Sequence, residues 1–348
     1  MYNKSMFFSY FFFIFVSSSS MAAIAQTKYQ SGFQEIIIED PYRPLQAVIW
    51  YPAEQQQLSV EKIADTSVFV GENAVRNAPV IGKGHPLILI SHGFGGSWKN
   101  QVWLASALSR HGYIVAAPNH PGTTTHNMNR KIAQNMLERP NDISRTLTYL
   151  FSDPVFSTAI NSQKIGIVGH SYGGWTAIEL IGGQFSADQF EQSCHTYPFL
   201  ESCKTYQRQM DGLDKESDYF KLDKDIRDPR ISAAFIFDLG LARGFTPKSL
   251  ANIKVPTLVV SAGDFNKALP VELESQYLIQ HMPPHTTEYI SLDEATHFSF
   301  LGICKENAIA LLKEEKIDDS YICENDINQR QLIHQLMINK IMSYMDKL

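Results

Sequence analysis

The chain has 348 residues, of which 44% are hydrophobic and 19% charged, so it can bury a large core, and this composition excludes an intrinsically disordered protein. The formal net charge is −6 and the sequence has no basic stripe, which argues against a nucleic-acid partner and against electrostatic adsorption to anionic membranes. No internal repeat is present.

The first 25 residues have the pattern of a secretory signal peptide. Lys4 precedes an apolar run over Met6–Val16, and small residues lead to a cleavage site after Ala25. The run is shorter than the roughly 20 residues that a membrane-spanning helix needs. We therefore expect export to the periplasm or out of the cell, and a mature chain, 26–348, that is a single domain without a transmembrane segment.

The opening of the mature chain predicts an antiparallel pair of strands, Gln34–Ile38 and Leu45–Trp50, joined by a turn that contains proline. The polar stretch 54–83 has little periodicity and predicts a surface excursion. Beyond it, continuous apolar strands alternate with helical segments, which is typical of an α/β protein with a parallel sheet and right-handed crossovers.

The strands predicted in this second part are Pro86–Ser91, Tyr113–Ala117, the run that leads into Gly169, Ile231–Phe237, Val255–Ser261 and Thr287–Ile290. The predicted helices are Trp98–Arg110, Ile132–Leu137, Ile143–Phe151 with Asn141 or Asp142 as N-cap, Trp175–Ile181, Pro270–Gln280 and two segments after Leu301.

The segment 182–230 interrupts this alternation. It is polar, aromatic and cysteine-bearing, without a clear strand, and we predict that it is a cap inserted over the ends of the strands. Its aromatic residues suit either an apolar acyl chain or a small core of the cap itself. They are Phe185, Phe190, Tyr197, Phe199, Tyr206, Tyr219 and Phe220.

Four cysteines lie in the second half of the chain. An even number of cysteines in an exported protein predicts disulfides. The simplest of the three possible pairings is local, Cys194 with Cys203 and Cys304 with Cys323. Their spacing does not match a zinc site, so no metal is expected.

A nucleophile is indicated where an apolar run enters Gly169-His170-Ser171-Tyr172-Gly173 and a helical segment follows at once. A strand, a sharp turn and a helix in this order expose a serine hydroxyl at the end of the strand. Ser171 is therefore the candidate nucleophile, the alternative being an ordinary turn between a strand and a helix. We expect His170 to pack into the fold and His92 to support its own loop.

A serine needs a base, and the base needs a group that orients it. His297 lies in the loop after the last predicted strand, where the chain order nucleophile, acid, histidine requires the base. Two aspartates follow strands in the right part of the chain, Asp238 and Asp264. Asp238 is favoured, because the usual slot before Pro270 holds Asn266.

Two backbone N–H groups are predicted to bind the oxyanion that forms when a carbonyl is attacked. The first belongs to Tyr172, at the start of the helix after the nucleophile. The second belongs to Phe94 in the glycine-rich loop His92-Gly93-Phe94-Gly95-Gly96, where the backbone can approach a substrate closely.

These motifs resemble the α/β-hydrolases that group plasma-type platelet-activating-factor acetylhydrolases with bacterial dienelactone-hydrolase-like proteins. The resemblance runs from about Leu45 to Leu301, and the segment 182–230 lies outside any pattern that it covers. The matching pieces are Ser91 to Gly96, Ser109 to Ala117, Gly169 to Gly174, Phe237-Asp238 and Thr296 to Leu301.

The resemblance implies an α/β-hydrolase fold and serine ester hydrolysis with no metal and no cofactor, and it implies Asp238 as the acid. True dienelactone hydrolases use a cysteine nucleophile, and Ser171 departs from that pattern. The expected substrate is a short or modified acyl ester, such as a platelet-activating-factor-like phospholipid.

Other functions remain open. The same catalytic groups would serve a lipase, a polyester hydrolase, an amidase or a peptidase. From a different class, a hydrolase scaffold could serve as a secreted binding protein without catalysis.

Overall fold

A computed structural model describes residues 28–54, 59–214, 217, 221–263, 269–315, 318–324 and 327–348. The predicted signal peptide, 1–25, lies outside these residues, as do Tyr219, Phe220, Asp264 and Asn266. Among the described helices, none combines the length and the apolar character needed to cross a bilayer.

The strands are β1 (Gln30–Ile38), β2 (Leu45–Ala53), β3 (Val60–Ile63), β4 (Glu72–Arg76), β5 (His85–Ser91), β6 (Ile114–Pro118), β7 (Thr123–Thr124), β8 (Asn127–Met128), β9 (Ile160–His170), β10 (Ala233–Phe237), β11 (Thr257–Ala262) and β12 (Thr287–Leu292). The α-helices are α1 (Val102–Arg110), α2 (Arg130–Ala133), α3 (Glu138–Ser152), α4 (Phe156–Ala159), α5 (Tyr172–Leu180), α6 (Ala187–Thr196), α7 (Glu201–Met210), α8 (Pro247–Ala251), α9 (Ser275–His281), α10 (Ala308–Glu314) and α11 (Ile327–Asp346). Short 3₁₀ helices cover Trp98–Gln101, Ala242–Gly244, Val271–Leu273, His297–Phe300 and Ser320–Cys323.

Ten of the strands form one sheet in the order β12-β11-β10-β9-β5-β6-β2-β1-β4-β3. The run from β12 to β6 is parallel throughout, and β2 joins it as an antiparallel neighbour of β6. The predicted α/β architecture with a mostly parallel sheet is confirmed. The carboxyl ends of β5, β9 and β10 therefore meet at one edge of the sheet, which is where Ser91, His170 and Phe237 end their strands.

Both faces of the sheet are covered, and β5 shows why its sequence is a continuous apolar run. Leu87 and Leu89 point to the core that contains α3 and α5, whereas Ile88 and Ile90 point to the core that contains α1 and α11. A central parallel strand has no solvent face, so it has no polar positions to alternate with.

The prediction of a surface excursion over 54–83 is wrong, because this stretch adds two strands to the sheet. β4 pairs in parallel with the outer edge of β1, and β3 pairs antiparallel with β4. Only Ile63, Ala74 and Val75 of these two strands are buried, which is too few to give a periodic signal. Backbone pairing at a free sheet edge, rather than a hydrophobic pattern, places them there.

The predicted start of the helix at Ile143 is also wrong, since α3 begins at Glu138. Pro140 is the third helical residue, where the backbone N–H has no intrahelical acceptor, so the proline does not interrupt the helix. Asp142 is buried instead of capping, and its Oδ2 accepts a hydrogen bond from Nη2 of Arg43 at 2.7 Å.

The helix predicted over Ile132–Leu137 is reduced to α2, Arg130–Ala133. Asn129 caps it through a bond from the Ile132 N–H to its Oδ1, 3.3 Å long. Met136 and Leu137 leave the helix and are buried in the core beside α3.

Helices α6 and α7 lie within the segment 182–230, and its aromatic residues divide between two environments. Phe185, Phe190 and Tyr206 are buried and pack on one another, with ring centroids 5.1 to 6.3 Å apart. Phe199 is 57% exposed. The first three form a local core, so they stabilise the position of α7.

Cys194 is bonded to Cys203 and Cys304 to Cys323, in the local pairing that the sequence favours. The first bond joins α6 to α7. The second joins the loop after the His297–Phe300 3₁₀ helix to the Ser320–Cys323 3₁₀ helix. The first disulfide therefore fixes the helix pair that follows α5, and the second fixes the segment that follows the His297–Phe300 3₁₀ helix.

Removing the Cys194–Cys203 bond should destabilise the protein. The two cysteines are 9 residues apart, and closing a loop of this size is worth about 2–3 kcal/mol of unfolding free energy. We expect a Cys194→Ser/Cys203→Ser double variant to lose this amount in urea unfolding followed by circular dichroism. Intact mass before and after alkylation is the control, and four alkylated thiols in oxidatively folded wild type would contradict both disulfides.

Glu179 of α5 provides a pH-dependent prediction. It is 0% exposed, and burial raises its pKa well above the ordinary value. The folded state then holds a proton that the unfolded state releases above about pH 4.5, so stability should fall with rising pH by at most about 1.4 kcal/mol per unit. Glu179→Gln removes this term. The stability difference between the variant and wild type, from urea unfolding at several pH values, should grow from pH 4 upward; a difference independent of pH would contradict the assignment.

Candidate active site

Ser171 lies at the junction of β9 and α5 with a backbone of φ 56° and ψ −121°. A non-glycine residue rarely adopts a positive φ, and such strain persists only where the surroundings impose it. The Ser171 N–H donates to the Phe237 carbonyl oxygen at 3.0 Å, which ties the turn to the end of β10. This is the strand, turn and helix that the sequence predicts.

Two glycines allow the turn. A Cβ at Gly169 would lie 2.0 Å from the Gly173 carbonyl oxygen, and a Cβ at Gly173 would lie 1.9 Å from the Ser91 carbonyl oxygen. Three backbone segments thus touch at positions where no side chain fits. The glycines of the motif are required by contact, and Ser171 is the residue that projects from it.

Asp238 and His297 form a hydrogen-bonded pair. Asp238 directly follows β10, His297 begins the 3₁₀ helix after β12, and the Asp238 Oδ2 lies 2.6 Å from the His297 Nδ1. The other carboxylate oxygen accepts from the Ala262 N–H at 2.8 Å, and the Asp238 N–H donates to the Val260 carbonyl at 2.7 Å. With its Nδ1–H donated to the carboxylate, a neutral His297 keeps Nε2 as a proton acceptor.

His170 is hydrogen-bonded to the backbone of this pair. It is buried, and burial lowers its pKa to about 3, so the ring is neutral at physiological pH. Its Nε2 donates to the His297 carbonyl oxygen at 2.8 Å, with the two ring centroids 4.7 Å apart. The sequence predicts that His170 packs into the fold, and the structure adds that it holds the backbone of His297.

The loop after β5 presents Phe94 beside the turn at Ser171. The Gly93 carbonyl accepts from the His92 Nδ1 at 2.7 Å and from the Gly96 N–H at 3.1 Å. Because the peptide unit is planar, holding this carbonyl also fixes the Phe94 N–H, which points the opposite way. A Cβ on Gly93 would lie 3.2 Å from the Ser171 Cβ, so the loop backbone is in contact with the turn.

Tyr172 is the first residue of α5, where a backbone N–H has no intrahelical acceptor. Its ring centroid lies 6.2 Å from that of Phe94. Both residues line a cavity of about 780 Å³ that also contains Ser171 and His297. The sequence-predicted nucleophile, base and oxyanion donors therefore share one cavity.

The walls of this cavity come from segments that the disulfides hold. Ser202, Thr205 and Gln209 of α7 line one part, and Tyr321 and Ile322 beside Cys323 line another. A more open groove of about 690 Å³ near Asp40, Arg43 and Arg145 contains none of the predicted site residues. In the described part of the chain, no cluster of three or more His, Cys, Asp or Glu side chains has the arrangement of a metal site.

The sequence profile of the alpha/beta hydrolase family matches residues 87–302, which is more than half of the chain. The chain belongs to the alpha/beta hydrolase family. The matched range begins in β5 and ends just beyond the 3₁₀ helix of His297. It therefore includes Ser171 and Asp238, and it includes the loops that follow β5 and β10 of this α/β-hydrolase.

Among solved structures, a ferulic acid esterase from Streptomyces cinnamoneus matches with a TM-score of 0.62 at 15% identity, over 93% of this chain and 92% of that one. At this identity the likeness shows the fold alone. No protein of curated function matches in sequence. Because 640 solved chains match the structure, the fold does not select a substrate for this α/β-hydrolase.

Two buried residues near the site carry no sequence signal. Arg139 reaches the loop after β5 and the start of α5 from helix α3. Glu274 accepts from the Ser202 hydroxyl at 2.7 Å and from the Ala242 N–H at 2.8 Å, which links α7 to the loop after Asp238. Each lies in a stretch with other charged residues, Glu138 beside Arg139 and Glu272 near Glu274, and only its tertiary contacts distinguish it.

Alanine at position 173 should destabilise this α/β-hydrolase. Its Cβ would meet the Ser91 carbonyl, and such overpacking costs about 1–3 kcal/mol, more than the gain of about 1 kcal/mol from alanine in a helix. Gly302→Ala is the matched control, since its Cβ would find its nearest neighbour at an ordinary 3.5 Å. Urea unfolding of both variants checks this, and equal stabilities would contradict the contact.

Proposed function

We propose that this α/β-hydrolase is an exported serine carboxylic-ester hydrolase, with Ser171 as nucleophile, His297 as general base and acid, and Asp238 as the group that orients His297. The observation that carries the proposal is the 2.6 Å contact between Asp238 and His297, because His297 lines the same cavity as the strained Ser171. A histidine held by a carboxylate, on the same cavity as a half-buried serine, is the arrangement that nucleophilic acyl transfer requires.

In the first half of the reaction, Ser171 Oγ attacks the ester carbonyl carbon while His297 Nε2 takes the hydroxyl proton. The carbonyl oxygen becomes an oxyanion, which the N–H groups of Phe94 and Tyr172 stabilise. When the tetrahedral intermediate collapses, the bond to the alcohol breaks and the imidazolium returns the proton to that alcohol. Water then attacks the acyl-enzyme by the same route and releases the acid and Ser171.

The lining of the cavity supports a small ester with one apolar and one polar part. Apolar side chains come from several elements, whereas α7 supplies hydroxyl and amide groups together with the charged Glu201 and Arg208. About 780 Å³ is the size of a small-molecule site. Platelet-activating-factor-like phospholipids with short or modified acyl chains fit this description. Esters of ferulic acid are a second class, suggested by the name of the structural neighbour and by the aromatic pair of Phe94 and Tyr172.

Export is part of the proposal. The 25-residue leader has the sequence pattern of a signal peptide, and two disulfides are the bonds of an oxidising compartment. The segment 182–230 is proposed as the cap of the single mature domain, with α7 as its substrate-facing helix.

The function is tested with para-nitrophenyl esters from acetyl to palmitoyl and with ethyl ferulate. We expect a short-chain optimum and a loss of kcat/KM of at least about 10³-fold in Ser171→Ala and about 10²-fold or more in Asp238→Asn. Asp264→Asn is the matched control and should stay within about twofold of wild type, because Asp238 already holds the His297 Nδ1.

Other outcomes would support the alternative functions. Wild-type turnover by Ser171→Ala would overturn the proposal, and loss only in Asp264→Asn would move the acid to that residue. A long-chain optimum would favour a lipase. Faster cleavage of a matched amide would favour an amidase or peptidase, and cleavage of polymer films alone would favour a polyester hydrolase. A folded protein that cleaves none of these substrates would favour a binding protein.

A further inference from the structure

Arg139 is an unusual residue to find beside this site. It is 2% exposed, and burial lowers its pKa to about 10, so the guanidinium is still charged at neutral pH. Burying a cation is unfavourable unless its donors are well matched. The Arg139 guanidinium donates its hydrogen bonds to neutral oxygens and lies over an aromatic ring. Among the described residues, its position is therefore not explained by an ordinary salt bridge.

The guanidinium binds the loop after β5. Its Nη2 donates to the His92 carbonyl oxygen and, at 3.3 Å, to the Ser91 hydroxyl. The His92 ring in turn donates to the Gly93 carbonyl, which fixes the Phe94 N–H. Arg139 therefore holds the peptide immediately before the one that carries the first proposed oxyanion donor.

The same guanidinium binds the start of α5. Its Nε donates to the Thr176 hydroxyl at 3.1 Å, and the Thr176 hydroxyl donates to the Tyr172 carbonyl at 3.2 Å. Its central carbon lies 4.4 Å from the centroid of the Tyr172 ring, within the range of a cation–π contact. Tyr172 carries the second proposed donor, so one side chain contacts both sources of oxyanion N–H groups.

A third contact completes the arrangement. Nη1 donates to the Thr123 hydroxyl at 2.6 Å, and the Thr123 carbonyl accepts from the Gly95 N–H at 2.9 Å. The glycine-rich loop is thus held from both of its ends. A planar group with fixed donor directions can set the relative position of three segments, whereas a lysine ammonium cannot.

We infer that Arg139 is the positioning residue of the oxyanion hole: it sets the distance between the Phe94 and Tyr172 N–H groups and places a positive charge behind them. The inference rests on the proposed function, because an oxyanion forms only if Ser171 attacks a carbonyl. Its consequence is that Arg139 acts on the transition state and not on the bound substrate.

The test compares Arg139→Lys and Arg139→Met with wild type in three measurements: kcat, KM for the preferred para-nitrophenyl ester, and the inhibition constant of a boronic acid with the same acyl group, which mimics the tetrahedral intermediate. We expect kcat to fall about 10-fold in Arg139→Lys and about 10²-fold in Arg139→Met, with the boronate inhibition constant rising by the same factors. KM should stay within about threefold, because the ester in its ground state has no oxyanion.

Ile341→Ala controls for loss of stability alone. Ile341 belongs to α11 and is buried on the face of the sheet opposite to α3. Truncating its side chain should lower the melting temperature without changing kcat or the boronate inhibition constant. If Arg139→Met does not fold, Thr123→Val and Thr123→Ser replace it. The serine variant keeps the acceptor for Nη1 and should retain more of kcat than the valine variant.

Folded Arg139 variants with wild-type kcat and boronate affinity would overturn the inference, and so would equal changes in KM and the boronate constant. Failure of the proposed function is separate from this. In that case Ser171→Ala would keep wild-type turnover, or the folded wild type would cleave none of the esters, whatever the Arg139 variants do.

Discussion

The close contact of three backbone segments at Gly169 and Gly173 is the constraint on which the rest of the site depends. With atoms of a side chain at either position, β9 could not turn into α5 within a single residue, and Ser171 would lose its strained conformation. The contact also fixes where the neighbouring strand ends lie. The Ser91 carbonyl touches Gly173 and the Phe237 carbonyl accepts from the Ser171 N–H, so the loops that follow both strands begin beside Ser171.

Those two loops carry the residues that we propose as partners of Ser171. The loop after β10 begins with Asp238, which the backbone N–H of Ala262 and the imidazole of His297 both hold. The loop after β5 is held by buried polar groups instead: His120 bonds Ser91 at 2.9 Å and Asp142 at 3.0 Å, and Arg139 bonds the same hydroxyl. Burial lowers the pKa of His92 and of His120 well below the ordinary value, so both stay neutral and act as fixed hydrogen-bonding groups.

The sequence predicts the parts of this protein that depend on local chemistry. A sharp turn between a strand and a helix needs Gly169 and Gly173. A strand that is covered on both faces of the sheet needs an unbroken apolar run such as β5. The sequence alone therefore predicts both features. It does not predict contributions that depend on distant contacts. β4 is held by pairing with β1, Asp142 by Arg43 from a loop far away in sequence, and Arg139 by three segments at once. The choice between Asp238 and Asp264 depends on where each strand end lies relative to His297, which is again a tertiary relation, and Asp264 lies outside the described residues.

The central claim is that Ser171 is activated by its surroundings, and covalent labelling tests it most directly. The mature protein would be treated with a fluorophosphonate probe at neutral pH and analysed by intact mass and peptide mapping. The account predicts one adduct per chain, on the peptide that contains Ser171, formed much more slowly in a folded His297→Ala variant. An adduct on a different residue, or an unlabelled but fully folded wild-type protein, would contradict it.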